Sequence, residues 1–200
     1  MVTTGLADKK KPTYAISYGF LGGPAHSRRL RSMLHKQGLL PTRNLQEADI
    51  IIAHSAGCWL IPSGSSARLV IFIGMPLAQA NRGKAYRQAN ISNFTNSCKD
   101  LKLFSWITGV CLDWYYALIQ PRRNWTIIRR SRRAVPSVVP TAAHIFISNR
   151  YDPWPKSEQL DKLIRSKEWT FVEFPGSHED IWRHPERYAS IISHYARLLG

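Results

Sequence analysis

The chain has 200 residues, of which 44% are hydrophobic and 20% are charged, a balance that excludes an intrinsically disordered chain and fits a single domain with a sizeable core. Its formal net charge of +15 favours contact with nucleic acid, a membrane surface or an acidic substrate, although a solvated basic surface accounts for the charge equally well. The three cysteines, an odd number without metal-ligand spacing, argue against a disulfide framework and indicate reduced thiols in a cytoplasmic protein.

The first segment of the chain lacks the long apolar stretch of a signal peptide. We interpret residues 1–11 as a flexible basic tail and residues 12–200 as a single domain. That domain begins with TYAISYGFLGG, which predicts a short strand running into a glycine-rich loop. Next comes PAHSRRLRSMLHKQG, whose apolar residues recur at helical spacing before Gly38, so we predict a helix that ends there.

Four later segments have the composition of strands, and they are EADIIIAHS, ARLVIFIGMPL, AAHIFISN and EWTFVEFPG. The first two contain apolar runs without alternation, which is typical of parallel strands covered on both faces. Helical patterns follow in PKSEQLDKLIRS and HPERYASIISHYARLL. We therefore predict an α/β fold with a mainly parallel central sheet and helices on both faces. The sheet should be reduced to about five or six strands, because LLPTRNLQ leaves little room for a full helix.

The region of residues 78–140 does not continue this alternation of strands and helices. It has no convincing strand and several helix-like pieces, so we interpret it as a helical cap insertion. Within it, LFSWITGVCLDWYYALIQ is almost entirely apolar but too short and too interrupted to span a bilayer. Its apolar residues at three- and four-residue steps are expected to face a pocket over the site, and they are Phe104, Ile107, Cys111, Trp114 and Leu118.

Three predicted strands end next to residues with nucleophilic or acid–base chemistry. Ser55, Asp152 and His178 each follow one of these strands, and parallel sheets present their reactive groups at such ends. The order Ser, Asp, His along the chain is that of the α/β hydrolases, and the local sequence resembles that superfamily. The segment AHSAG resembles its G-x-S-x-G elbow, with Ala53 in place of the first glycine. Small residues are needed there because the turn is sharp and the backbone passes close to its neighbours.

The resemblance extends to two other loops. SNRYDPWP is similar to the superfamily's acid loop and FPGSH to its histidine loop, so the resemblance covers roughly residues 12–77 and 141–200. It implies that Ser55 is the nucleophile and that His178 is the general base that removes its proton. It also implies that Asp152 holds the imidazole in the required tautomer and stabilises its charged form.

The resemblance further implies two backbone donors for the oxyanion of the reaction. One is the N–H of Ala56, the residue after the nucleophile. The other should come from the glycine-rich loop, where Tyr18-Gly19-Phe20 is similar to the His-Gly-x of the superfamily. This comparison places the second donor on the N–H of Phe20, with that of Leu21 as the alternative.

Other residues of the right type compete for these roles. Asp113 and Asp180 are alternatives to Asp152, but the first lies in the predicted cap and the second is too close in sequence to His178. We expect His54 to pack within the elbow and not to act as a base. Ser55 also suits a helix N-cap, a role that would need neither partner.

These features together predict a serine hydrolase that cleaves a carboxylic ester, with a lipid or other acyl substrate, through an acyl-enzyme and without a cofactor or metal. Thioester and amide cleavage use the same groups and stay open. One alternative is a catalytically silent binding or scaffold module of the same fold. Another is a Rossmann-type nucleotide- or sugar-binding protein, although GFLGGP has neither of the usual phosphate-binding glycine patterns.

The arginines of PRRNWTIIRRSRRA suggest a partner for the cap. We expect Arg122–Arg133 to be exposed and to contact an anionic membrane peripherally, which would leave the protein cytoplasmic or at the membrane surface. Trp125 lies among these arginines, an arrangement that also occurs in nucleic-acid binding. No known nucleic-acid motif appears in the sequence, which argues against that partner. No pattern in the sequence predicts the oligomeric state.

Overall fold

The computed structural model describes residues 11–20, 22–75, 103–130, 138–152, 165 and 169–199. The predicted tail, apart from its last residue, lies outside the described residues. The same holds for the helix predicted over PKSEQLDKLIRS, apart from Arg165. Parts of the predicted cap insertion, residues 78–102 and 131–137, also lie outside them.

The described residues form six strands, five α-helices and one 3-10 helix. The strands are β1 (Thr13–Ser17), β2 (Leu40–Pro41), β3 (Ile50–His54), β4 (Leu69–Ile73), β5 (Ala143–Asn149) and β6 (Thr170–Phe174). The α-helices are α1 (Arg28–Lys36), α2 (Leu103–Ile119), α3 (Pro121–Arg130), α4 (Asp180–Arg183) and α5 (Pro185–Arg197), and the 3-10 helix is Ser55–Leu60. The five predicted strands are confirmed, while the two-residue β2 was not foreseen.

All six strands are parallel and lie in the order β2-β1-β3-β4-β5-β6, which confirms the predicted parallel sheet. Ser17 pairs with Ala53, so β1 and β3 end side by side. The chain leaves β1 towards one edge of the sheet and leaves β3 towards the other edge. This divergence opens a crevice at the carboxyl ends of β1 and β3, which is where open α/β sheets bind their ligands.

Every residue of β3 and β4 is buried, which explains why their sequences do not alternate. On one face Ile50, Ile52 and Ile71 pack with residues of α1 and α5. On the other face Ile51 and Phe72 pack with residues of the 3-10 helix and of the segment before β6. The sheet is thus held between two apolar layers, and only its ends and edges are free to carry polar chemistry.

The described part of residues 103–130 is helical, as predicted, but α2 is oriented differently around its axis from what we expected. Four residues of the stripe predicted to face the pocket are exposed: Cys111, Ile107 by 45%, Trp114 by 69% and Leu118 by 76%. The residue of α2 that turns inward is Tyr116, which is 6% exposed. That stripe prediction is therefore wrong, because α2 is apolar on nearly all sides and packs through a different face.

Candidate active site

Ser55 directly follows β3 and occupies an unusual backbone conformation. Its φ of 53° is in the left-handed region, and it is the only non-glycine residue with a positive φ among those the structure describes. Such a conformation costs about 1–3 kcal/mol and persists only where the surroundings impose it. The sharp turn lifts the Ser55 side chain out of the strand at the carboxyl end of the sheet, where its hydroxyl is partly accessible.

The packing around Ser55 explains the small residues on either side of it. A Cβ atom on Gly57 would lie 2.2 Å from the carbonyl oxygen of Ser17, so only glycine fits at this position. The Ser17 hydroxyl donates to the Gly57 carbonyl oxygen at 2.7 Å, which fixes the turn to the end of β1. Ala53 lies inside β3 and is fully buried, and its methyl group belongs to the apolar layer that contains Ile51 and Phe72.

Asp152 and His178 lie together at the ends of the two following strands. His178 Nδ1 and Asp152 Oδ2 are 2.9 Å apart, and the two side chains are 9% and 7% exposed. Their loops run side by side, because Asn149 and Phe174 pair at the strand ends and the Tyr151 N–H donates to the carbonyl oxygen of Gly176 at 3.0 Å. An ionised carboxylate can only accept, so His178 donates through Nδ1–H, and Nε2 is the ring nitrogen at which it could take a proton.

The pKa of His178 is set by opposing effects. Burial lowers the pKa of the imidazole, whereas the charge and hydrogen bond of Asp152 and the charge of Glu179 raise it. The net result is a pKa above the ordinary value of 6.5. His178 is therefore a stronger base than a free histidine, and its protonated form is stabilised where a proton from Ser55 would arrive.

The two alternative acids have other neighbours in the structure. The Tyr188 hydroxyl lies 3.2 Å from Asp180 Oδ2, and Arg187 lies 4.0 Å from the same oxygen. Asp113 lies in α2, 3.5 Å from Nε2 of His26. The acid that faces the His178 ring at Nδ1 is Asp152.

His54 supports the loop that carries His178. Its Nε2–H donates to the His178 backbone carbonyl at 3.0 Å, and its ring packs 4.9 Å from that of His178 and 4.9 Å from that of Trp182. Burial lowers the pKa of His54 from 6.5 to about 4, so the ring is neutral near pH 7. This agrees with its expected packing in the elbow and gives it a positioning role that the sequence did not reveal.

The backbone of Gly74 lies directly against the Asp152–His178 pair. It follows β4 with a φ of 56°, and a Cβ atom there would lie 2.8 Å from Asp152 Oδ2 and 3.0 Å from His178 Nδ1. Sequence reasoning did not identify this residue. The signal was a glycine placed directly after the buried strand LVIFI.

The loop after β1 lies against the nucleophile. A Cβ atom on Gly19 would lie 2.8 Å from the Cβ of Ser55 and 3.2 Å from its Oγ. The Phe20 N–H, which we expect to be an oxyanion donor, belongs to the next peptide unit, while Leu21 lies outside the described residues. Ala56 follows Ser55 at the start of the 3-10 helix. Both proposed donors are thus on segments adjacent to Ser55.

Arg123 extends from α3 into this loop. It was expected to belong to the exposed arginine cluster, but it is only partly exposed. Its guanidinium donates to the carbonyl oxygens of Tyr18, of Gly19 at 3.1 Å and of Gly22 at 3.0 Å. The expectation that this arginine is exposed was therefore wrong, because its guanidinium turns inward to donate to the carbonyl oxygens of the loop.

The contact between Ser55 Oγ and His178 stays a prediction, and hydrogen bonds of this kind often tighten only when substrate is bound. Ligand atoms of His54, His178 and Glu179 lie within 4.8 Å of one another, a spacing that could admit a metal ion. The His54 Nε2–H and the His178 Nδ1–H are donated to protein oxygens, so a metal ion there would have to be held by the other ring nitrogen of each histidine.

Comparison with known proteins identifies the fold. No family model and no curated protein match the sequence. Among solved structures, an enol-lactonase from Burkholderia xenovorans LB400 superimposes with a TM-score of 0.62 and 10% identity, over 92% of this chain and 90% of the other. A carboxylesterase study of Nitrososphaera gargenis supplies another structure, with a TM-score of 0.62 and 11% identity over 94% and 91% of the two chains.

A third structure, potato (Solanum tuberosum) epoxide hydrolase I, superimposes with a TM-score of 0.55 and 13% identity, over 94% of this chain and 93% of the other. These proteins share the α/β-hydrolase fold, and this chain has the same fold. At such low identity the likeness concerns the fold alone.

The role of Gly74 can be tested by making the same substitution at two glycines. Gly74→Ala places a methyl group against Asp152 and His178, so we expect the His178 pKa to fall as the carboxylate is pushed away while the burial remains. Gly38→Ala is the control, since Gly38 has a φ of 87° with no atom within 4 Å of an added Cβ. Both variants should lose about 1–2 kcal/mol of stability from the left-handed backbone. Histidine titration by NMR checks the shift, and an equal effect of both variants would contradict the role of Gly74.

Proposed function

We propose that this chain, which has the α/β-hydrolase fold, is a serine hydrolase that cleaves a carboxylic ester through an acyl-enzyme. The observation that carries the proposal is the buried His178–Asp152 pair, at 2.9 Å, together with the left-handed Ser55 at the same edge of the sheet. A strained serine, a raised histidine pKa and a buried carboxylate serve no common structural purpose. They are what a base-activated nucleophile requires.

The reaction would proceed in two halves. Ser55 Oγ attacks the ester carbonyl carbon while His178 Nε2 takes its proton, and Asp152 stabilises the resulting imidazolium. The negative oxygen is held by the N–H groups of Phe20 and Ala56. The proton then passes from His178 to the leaving alcohol as the ester bond breaks. A water molecule, activated by His178 in the same way, then attacks the acyl-enzyme, which releases the carboxylic acid and restores Ser55.

The structural neighbours support a hydrolase but do not select the bond. They include proteins described as an enol-lactonase, a carboxylesterase, an epoxide hydrolase and a thioesterase domain. A carboxylic ester is favoured here because an activated serine beside two backbone donors suits attack on an acyl carbon. Three of those four descriptions name acyl or lactone cleavage, which agrees with that choice.

The two alternatives explain fewer observations. A silent binding module would not need a histidine whose pKa is raised by a buried carboxylate. A phosphate-binding loop at GFLGGP would need free backbone N–H groups around an open cradle. Instead the Gly22 N–H is bonded to the carbonyl oxygen of Gly19 at 3.1 Å, and the backbone at Gly19 lies against Ser55.

Labelling with a fluorophosphonate probe tests the proposal directly. We expect the wild-type protein to be labelled covalently at Ser55, because the probe needs a nucleophilic serine. Ser55→Ala should remove the label, whereas Ser66→Ala, which changes an exposed serine outside the site, should keep it. A wild-type protein that stays unlabelled while folded would overturn the proposal in favour of a binding module.

The pH dependence of ester hydrolysis gives a second test. His178 must be neutral to take a proton, so kcat/KM should rise with pH, with an apparent pKa above 6.5. Asp152→Asn removes the charge that raises this pKa and leaves the burial that lowers it. We therefore expect a lower apparent pKa and a loss in kcat of about 100-fold or more. A profile of 4-nitrophenyl acetate hydrolysis that is flat from about pH 5 to 9 would exclude a histidine base.

We also propose that the protein contacts an anionic membrane through the outer face of α2 and α3. Trp114, Leu118 and Trp125 are exposed there by 69%, 76% and 64%. Arg122 and Arg129 are exposed on the same helix as Trp125. Tryptophan and arginine side by side suit the boundary between acyl chains and anionic headgroups. None of the described helices is long and apolar enough to cross a bilayer.

Vesicle binding can distinguish an effect of this surface from an effect of the net positive charge of the protein. Arg122→Gln with Arg129→Gln should weaken binding to phosphatidylserine vesicles by roughly 30-fold, since each arginine near an anionic surface contributes about 1 kcal/mol. The matched control is Arg28→Gln with Arg29→Gln, which removes the same charge from an exposed part of α1. Equal weakening by both pairs would show that net charge alone is responsible. Binding to nucleic acid but not to vesicles would contradict the membrane proposal.

A further inference from the structure

Arg123 makes an unusual set of contacts for a surface-helix arginine. It donates through Nη1 to Gly22 and through Nη2 to Tyr18 and Gly19, all at backbone carbonyl oxygens. Its remaining contact is with the side-chain oxygen of Gln120 at 3.2 Å. One guanidinium thus joins three carbonyls of the loop after β1 to α3.

The Gly19 carbonyl belongs to the same peptide unit as the Phe20 N–H. The unit is planar and its C=O and N–H point in opposite directions, so holding the oxygen also fixes where the N–H points. A charged donor on the oxygen draws electron density away from the nitrogen and makes the N–H a stronger donor. Arg123 therefore acts on both the direction and the strength of the Phe20 N–H.

We infer that Arg123 is a positioning residue that orients and polarises the Gly19–Phe20 peptide as an oxyanion donor. This inference rests on the proposed serine hydrolase function. It gives α3 a role in the chemical step that is separate from its contact with a membrane.

The charge balance around Arg123 supports this role over a purely structural one. Among the described residues no carboxylate pairs with Arg123, and its partners are neutral carbonyl oxygens. Burial lowers the pKa of the guanidinium, which shows that the site is costly for a cation. The site nevertheless keeps a positive charge beside the Gly19–Phe20 peptide, where it would stabilise a negative charge that forms nearby during the reaction.

The far end of the loop, at Gly23 and Ala25, also contacts a helix. The Tyr116 hydroxyl accepts the Ala25 N–H at 3.0 Å. A Cβ atom on Gly23 would lie 2.2 Å from the Tyr116 ring, so the backbone is pressed against α2 there. The glycine-rich loop is held by α2 at one end, by α3 in the middle and by β1 at its start.

Kinetics of variants at this position test the inference. Arg123→Gln keeps a hydrogen-bonding side chain but loses the charge and the fork, so we expect kcat for 4-nitrophenyl acetate to fall about 10- to 100-fold with little change in KM. Arg123→Lys keeps the charge but cannot reach three carbonyls, so its kcat should lie between those of Arg123→Gln and wild type. Arg28→Gln, which removes one charge from the exposed side of α1, is the control and should keep wild-type kcat.

A second readout separates orientation of the donor from loss of folding. An arylboronic acid forms a tetrahedral adduct with Ser55 whose oxygen occupies the oxyanion position, and its affinity should fall in Arg123→Gln by the same factor as kcat. If Arg123→Gln does not fold, Arg123→Lys decides the question by the same two measurements. Wild-type kcat and boronate affinity in a folded Arg123 variant would overturn the inference while leaving the hydrolase proposal intact. Failure of the proposed function is distinct, because the wild-type protein would then not react with a fluorophosphonate.

Discussion

The close approach of two backbone segments controls the rest of this site. The turn after β3 lies so near the end of β1 that a side chain larger than hydrogen at Gly57 or Gly19 would collide with Ser17 or Ser55. This contact imposes the left-handed Ser55, because the chain must reverse within one residue to pass β1. It also places the backbone of the loop after β1 beside the serine hydroxyl. The strain at Ser55 is offset by the burial of β3 and of β4, the strand that pairs with it.

The second half of the site depends on a balance between burial and charge. Burial alone would lower the pKa of His178, as it does for His54, whose pKa falls to about 4 although the charge of Glu179 raises it. Asp152 reverses the direction for His178 by pairing with Nδ1. Two histidines at a ring distance of 4.9 Å thereby have pKa values shifted in opposite directions, which suits His54 to a neutral donor and His178 to the proposed role of base. Gly74 permits this pairing, because any larger residue would occupy the space of the carboxylate oxygen.

The sequence predicted the strands and the order of the strand-end residues well, because continuous apolar runs and small residues around a serine are local signals. It did not reveal Gly74 or Arg123, since both act through partners far away in the chain; Arg123 meets Gly19 across 104 positions. The predicted orientation of α2 was wrong for a related reason. Almost every face of that helix is apolar, so its periodicity could not choose a side, and packing of Tyr116 against Gly23 made the choice.

The two arginines on α3 that bond to backbone carbonyls link both segments that would hold an oxyanion. Arg123 bonds the loop that carries Phe20, and Arg130 Nη1 donates to the Trp59 carbonyl at 3.2 Å, in the 3-10 helix that begins with Ser55 and Ala56. The distance between Arg123 and Arg130 along α3 is fixed by the rise of the helix. The helix therefore restrains the separation of the two segments that these arginines contact. The spacing of the two proposed backbone donors would then depend on α3 as well as on the sheet. A loop that is glycine-rich, and so conformationally free on its own, can keep a defined peptide orientation when a helix on its outer side restrains its carbonyl oxygens.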